Sequence, residues 1–227
     1  MTEPQKIPLV EKQMIQTAIW TFIVLVVIEI IAYYVVFKNI PDFLGKYGYY
    51  LALLVIAVVV NAIAVWHIKA YKRVMPCMTG MMLGMTIGMA SSLSLSMVVG
   101  AVNGMFIGSL VGVILGMGLG AWIGNCCGVM GVMEGMMAGL MGGTMGPMIS
   151  LMALQFAPHL ITVVLISIIF ILFGLVYMLY QEEKVLEERT PYQGYSFIPF
   201  SAACIILTLI LTFIMVYGPK FSFLLIK

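Results

Sequence analysis

Sulfur and carboxylate side chains carry whatever chemistry this chain can perform. Between Met75 and Met152 lie 17 of its 21 methionines, and the same stretch holds Cys77 and the vicinal pair Cys126-Cys127. Thioethers and thiolates are soft donors that suit Cu(I) and related ions, so Cys77, Cys126, Cys127, Met81, Met85, Met130, Met137, Met141 and Met145 form a candidate ligand set for Cu(I) or another soft metal. No C-x-x-C spacing accompanies them. Methionine that fills irregular gaps and small cysteines at a tight turn are the bland alternatives. Glu134 and Glu29 are the acidic residues inside apolar runs, where a carboxylate is costly enough to suggest charge compensation or proton exchange. For Glu29 a hydrogen-bonded packing role is equally open, with Asn61 as a partner.

The elements that position these groups follow from composition. A chain of 227 residues that is 63% hydrophobic and 9% charged is a polytopic membrane protein, all-α by expectation. Apolar runs of about 20 residues, the length that crosses a hydrocarbon core, predict about seven spans at roughly 15–37, 48–67, 77–99, 103–125, 129–154, 158–180 and 197–217. These form a single membrane domain over 1–227. Residues 15–67 and 158–217 supply two pairs of peripheral, lipid-facing helices, and 75–155 a Gly/Met-rich core of three. Tight turns near Val99–Asn103 and Asn125–Gly128 connect the core helices, and a polar cytoplasmic segment occupies 181–196.

Within the core, Gly80, Gly84 and Gly88 open a four-residue ladder that resumes at Gly100 and runs through Gly104, Gly108, Gly112, Gly116, Gly120 and Gly124 to Gly128. Small residues at this spacing let membrane helices approach backbone to backbone, which predicts a glycine zipper. On the fifth span, Met130, Glu134, Met137, Met141, Met145, Met148 and Met152 project within about 60° of Glu134, while Gly135 and Gly139 belong to the neighbouring face. A period of four exceeds 3.6 and favours right-handed crossings. The pattern M-x-G-M-M-x-G occurs at Met78–Gly84 and again at Met133–Gly139, and one intervening span makes the two copies run in the same direction.

Lys6, Lys12, Lys69, Lys72, Arg73, Lys184 and Arg189 fall on one side of this topology, against Lys38, Lys46, Lys220 and Lys227 on the other. The positive-inside rule therefore predicts a cytoplasmic N-terminus and an external C-terminus, in the plasma membrane of a prokaryote. The first span is too long for a signal h-region and reads as a retained anchor. Cys77, Cys126 and Cys127 then share the cytoplasmic face, where thiols stay reduced.

The M-x-x-x-M runs at Met81-Met85-Met89 and Met133-Met137-Met141-Met145, set against G-x-x-x-G ladders, resemble those of the Ctr copper transporters. That family has three spans and forms trimers, whereas this chain repeats both motifs in about seven. Cys126-Cys127 is similar to the paired cysteines of small mercuric-ion membrane transporters. Residues 75–152 as a whole resemble uncharacterised prokaryotic Gly/Met-rich multi-pass membrane proteins, a likeness that implies no particular activity.

No Walker loop, G-x-S-x-G elbow, H-E-x-x-H or paired-carboxylate site is present, so an enzyme is not expected. Two functional classes remain, both with the lipid bilayer as surroundings, no nucleic acid as partner, and room for a homo-oligomer or partner subunits. In the first, Cys77, Cys126 and Cys127 capture a soft ion, Glu134 balances its charge and the methionines pass it across. In the second, the chain is a non-transporting scaffold or assembly factor, its glycines packing helices and its methionines serving as filler. A path requires the methionine faces of the third and fifth spans to look towards each other across a gap. A scaffold buries glycine faces and leaves methionine and cysteine scattered or lipid-facing. A proton or cation channel at Glu134 is a third class.

Overall fold

In lipid a backbone must satisfy its own N–H and C=O groups, so long apolar runs become helices. The computed structural model describes residues 7–32, 43–71, 77–152, 156–186 and 197–218. Among them the chain forms seven α-helices and no strand: α1 (Ile7–Ala32), α2 (Phe43–Tyr71), α3 (Cys77–Asn103), α4 (Met105–Gly124), α5 (Gly128–Met152), α6 (Ala157–Leu186) and α7 (Phe197–Tyr217). Four segments are long and apolar enough to cross a membrane: Tyr47–Ile68, Cys77–Asn103, Met105–Met152 and Ala157–Met178. Ile19–Ile31 and Ala202–Tyr217 are shorter apolar helices. The long Met105–Met152 segment is folded back on itself at the 3-10 turn Asn125–Cys127, which joins α4 to α5.

Both corners of the core turn on a glycine with positive φ. Gly104, at φ 90° and ψ 175°, separates α3 from α4, and Gly128, at φ 71°, opens α5. An L-residue is strained in such backbone, which is why glycine stands at both corners. The first corner therefore lies beyond the expected Val99–Asn103 turn, because those five residues remain helical to the end of α3. The cytoplasmic segment expected over 181–196 is helical as far as Leu186, and 187–196 lie outside the described residues, as do 33–37 of the first expected span.

Helices α3, α4 and α5 pack chiefly on one another. Around them, α2 contacts α1, α3, α6 and α7. One apolar cluster unites Leu25 of α1, Leu54 and Val58 of α2, Leu95 and Met97 of α3, Ile161 of α6 and Leu211 of α7. A second joins Ala64 and Ile68 of α2 to Leu83 and Ile87 of α3, Ile123 of α4 and Leu172 of α6. This makes α2 an inner helix, in contrast to the lipid-facing shell expected of it: its face from Leu53 to Ile68 is largely buried. By contrast α6 turns Val163, Phe170, Ile171 and Phe173 outward. Leu83, Ile87 and Leu95 of α3 join the apolar clusters with α2, whereas Gly84, Gly88 and Gly100 of α3 meet glycine or proline of α4 and α5.

Candidate functional site

Small residues set the register of the core. Gly84 of α3 lies 3.0 Å, measured from the position a Cβ would take, from the Cα of Gly124 on α4, and Gly124 in turn abuts Gly131 on α5. Four residues on, Gly88 meets Gly120 and Gly135; then Ser92 meets Gly116, which meets Gly139. Ser96 next meets Gly112, which meets Gly143, and Gly100 meets Gly108 and Pro147. Each step forward along α3 is thus matched by a step back along α4 and a step forward along α5, so α3 and α5 run parallel and α4 antiparallel between them. Cβ atoms placed at Gly112, Gly116, Gly120 or Gly139 would stand under 3.0 Å from neighbouring backbone. Such contact excludes any larger side chain without moving a helix.

Two members of this register were not singled out from the sequence. Ser92 and Ser96 fill the break in the α3 ladder between Gly88 and Gly100, and their spacing of four was the available signal. Their hydroxyls turn back to the helix, Ser92 Oγ donating to the Met89 carbonyl at 3.0 Å, and Ser96 Oγ also reaches the Gly142 carbonyl at 3.4 Å. The parallel register also separates the two M-x-G-M-M-x-G copies. The repeat pairs Gly80 with Gly135, but the structure sets Gly88 level with Gly135, two ladder steps or about 12 Å along the helix axis.

With glycine turned inward, methionine faces outward. On α3, Met78, Met82, Met85 and Met89 are exposed; on α5, Met130, Met133, Met137, Met141, Met145, Met148 and Met152 are exposed, Met137 at 64%. Met81 is half-buried, as is Glu134. The methionine faces of α3 and α5 therefore lie on the outer surface of the three-helix core. The space between these helices is filled by the small-residue levels described above.

At the end of the core where α3 begins, the chain gathers three thiols. The Asn125–Cys127 turn carries Cys126 and Cys127 over the first turn of α3, where Gly80 has no Cβ to obstruct them. Cys126 Sγ lies 3.6 Å from Cys127 Sγ. Cys127 Sγ donates to the Cys77 carbonyl at 2.6 Å, and Cys77 Sγ approaches the Cys127 carbonyl at 3.9 Å. All three thiols are free, with Cys77 and Cys126 exposed. Among the described residues no three His, Cys, Asp or Glu side chains converge closely enough to hold a metal ion as placed. Cys204 takes no part, being buried on α7 in the cluster that includes Leu95 and Met97 from the opposite half of α3. His67 is buried on α2.

The second carboxylate has a different partner from the one its position in the sequence suggests. Thr212 of α7 donates its hydroxyl to Glu29 Oε1 at 2.8 Å. Asn61 instead donates to the Ala57 carbonyl at 2.7 Å and to Ser94 Oγ of α3 at 2.8 Å. Asn103, fully buried at the corner between α3 and α4, donates to the Ile214 carbonyl of α7 at 2.8 Å. The side-chain oxygens of Asn61 and Asn103 are buried without a hydrogen-bond partner among the described residues. Thr212 and Asn103 tie α7 to the rest of the bundle, and neither carries a sequence signal beyond being polar in an apolar run.

Comparison with family models, with curated proteins and with solved structures finds no match.

Proposed function

We propose that this chain is a non-transporting membrane scaffold or assembly factor, whose glycine-packed core holds a methionine face against a partner helix in the same bilayer. The observation that carries this reading is the division of the core: small residues inward at every level, methionines outward on α3 and α5. Lipid gives helices no hydrophobic drive to associate, so docking there depends on close packing. Unbranched methionine adapts its shape to a neighbour better than the Val, Ile and Phe that α6 turns outward. A soft-ion path through the chain finds less support, because the methionines of α3 and α5 do not border a shared gap.

In this reading the two arms of Met105–Met152 cross separately. Together with Ile19–Ile31, Ala202–Tyr217 and the three other apolar segments they give seven crossings with a glycine zipper at their centre. The Lys/Arg distribution supports a cytoplasmic N-terminus, and the same reading takes the membrane to be the plasma membrane of a prokaryote. No enzymatic step is assigned.

The test is photo-crosslinking in native membranes with photo-methionine at Met137 or Met141. A discrete protein adduct, absent when the probe sits at Phe170 on α6, is the expected result. Adducts to lipid alone at all three positions would overturn the scaffold reading.

A further inference from the structure

We infer that Cys126 and Cys127, with Cys77 as third donor, bind one thiophilic monovalent ion of the Cu(I) class in the space left by Gly80. This inference is independent of the scaffold reading, since it concerns one end of the core rather than its methionine face.

The donor set is wholly sulfur and lies close together. Three thiolates around one ion at a metal–sulfur distance of about 2.3 Å, with about 120° between the bonds, stand about 4.0 Å apart in each pair. Cys126 Sγ and Cys127 Sγ stand 3.6 Å apart before any ion is bound. The third thiol is held beside them by the reciprocal contacts between Cys77 and Cys127, and rotation of the Cys77 side chain away from the Cys127 carbonyl supplies the third ligand. With no carboxylate or imidazole among the donors, the site favours soft ions over Mg(II) or Ca(II).

Gly80 makes room for the sulfurs. A Cβ there would stand 2.5 Å from Cys126 Sγ and 2.8 Å from Cys127 Sγ, so the vacancy above the first turn of α3 is where the two thiols rest. The atoms within 3 Å of that position are side-chain ends rather than backbone, so alanine there displaces sulfur without separating the helices. Elsewhere in the core, as at Gly120, the atoms nearest to an added Cβ are backbone. The exposure of Cys77 and Cys126 leaves the site open to an arriving ion. Each thiol that ligates releases its proton to solvent, so binding acidifies an unbuffered sample.

The experiment is anaerobic Cu(I) competition against a chromophoric chelator on the full-length protein in detergent. It compares wild type with Cys126→Ser/Cys127→Ser, Cys77→Ser and Gly80→Ala, with circular dichroism on each to confirm the helical fold. The expected result is one Cu(I) per chain, weakened at least about 100-fold in the double variant, since losing two ligands costs no less than losing an outer-shell partner. Cys77→Ser, which removes the third ligand, and Gly80→Ala, which displaces the other two sulfurs, are each expected to weaken it at least about tenfold, the lower end of what even an outer-shell loss costs. Binding by folded wild type no tighter than by the double variant overturns the site, as does an ion retained by the double variant on methionine alone. An unchanged affinity in both Cys77→Ser and Gly80→Ala also overturns the three-thiol arrangement.

Discussion

Gly120 of α4 and Gly135 of α5 meet through their backbones: a Cβ on either would stand under 3.0 Å from the carbonyl oxygen of the other. Gly88 of α3 closes the same level, 2.8 Å from the Gly135 oxygen and 3.2 Å from the Gly120 Cα by the same measure. Three helices thus share one level without a side chain between them. Their separation at that level is fixed by main-chain atoms, which cannot rotate aside as a side chain can.

Substitution of this level should therefore be costly even for the smallest side chain. Gly120→Ala is expected to destabilise the protein by about 1–3 kcal/mol, the usual cost of overpacking, despite alanine's better helix propensity. Gly118, on the same helix, has nothing within 4 Å of the added Cβ, so Gly118→Ala should be neutral or stabilising by up to about 1 kcal/mol. Denaturation in mixed detergent followed by circular dichroism gives both values. Equal effects at the two positions would contradict the packing of α4 on α5.

The two corners make a separate prediction, from conformation rather than contact. Gly128 has open space around its Cβ position but a φ of 71°, and Gly104 has a φ of 90°. Alanine at either should cost about 1–3 kcal/mol through backbone strain. The same denaturation assay measures this, and a neutral Gly128→Ala would mean that the α4–α5 turn can relax to another geometry.

The all-helical bundle was legible in the apolar runs, because their length and lack of charge leave few other ways to satisfy a backbone in lipid. The glycine spacing marked which residues could approach closely, but not their partners: Gly88 lies level with Gly135 rather than Gly80, a matter of helix register that no local pattern encodes. Ser92 and Ser96 continue the small-residue period of α3 with a hydroxyl in place of hydrogen, so a glycine spacing alone does not include them. The meeting of Cys77 with Cys126 and Cys127 was anticipated from the end of the bundle they share. The bond from Thr212 to Glu29 was not, because α1 and α7 are distant in sequence and their adjacency depends on the packing of the whole bundle.

The methionine faces should tolerate change that the core does not. Met137→Leu and Met141→Leu alter exposed side chains, and each is expected to shift stability by no more than about 0.5 kcal/mol in the purified protein. Met97 is fully buried, so Met97→Ala should cost about 2–5 kcal/mol. Mixed-detergent denaturation of the three variants separates the cases. A large loss at Met137 or Met141 would place that face inside the fold.

The bond between α1 and α7 can be isolated by a double-mutant cycle. Thr212→Val removes the hydroxyl that donates to Glu29 Oε1 and is expected to cost about 0.5–1.5 kcal/mol, the ordinary net value of one hydrogen bond. Glu29→Gln keeps an acceptor oxygen in the same place, so it should cost less than Glu29→Ala. The single hydroxyl proton of Thr212 is shared with the Thr208 carbonyl of its own helix, 2.8 Å away, and that contribution appears in the single Thr212 variant but cancels in the cycle. Coupling between Thr212→Val and Glu29→Ala of at least about 0.5 kcal/mol is the expected outcome of mixed-detergent unfolding. Additive losses would show that the two side chains do not interact, and that the docking of α1 on α7 rests on their apolar contacts.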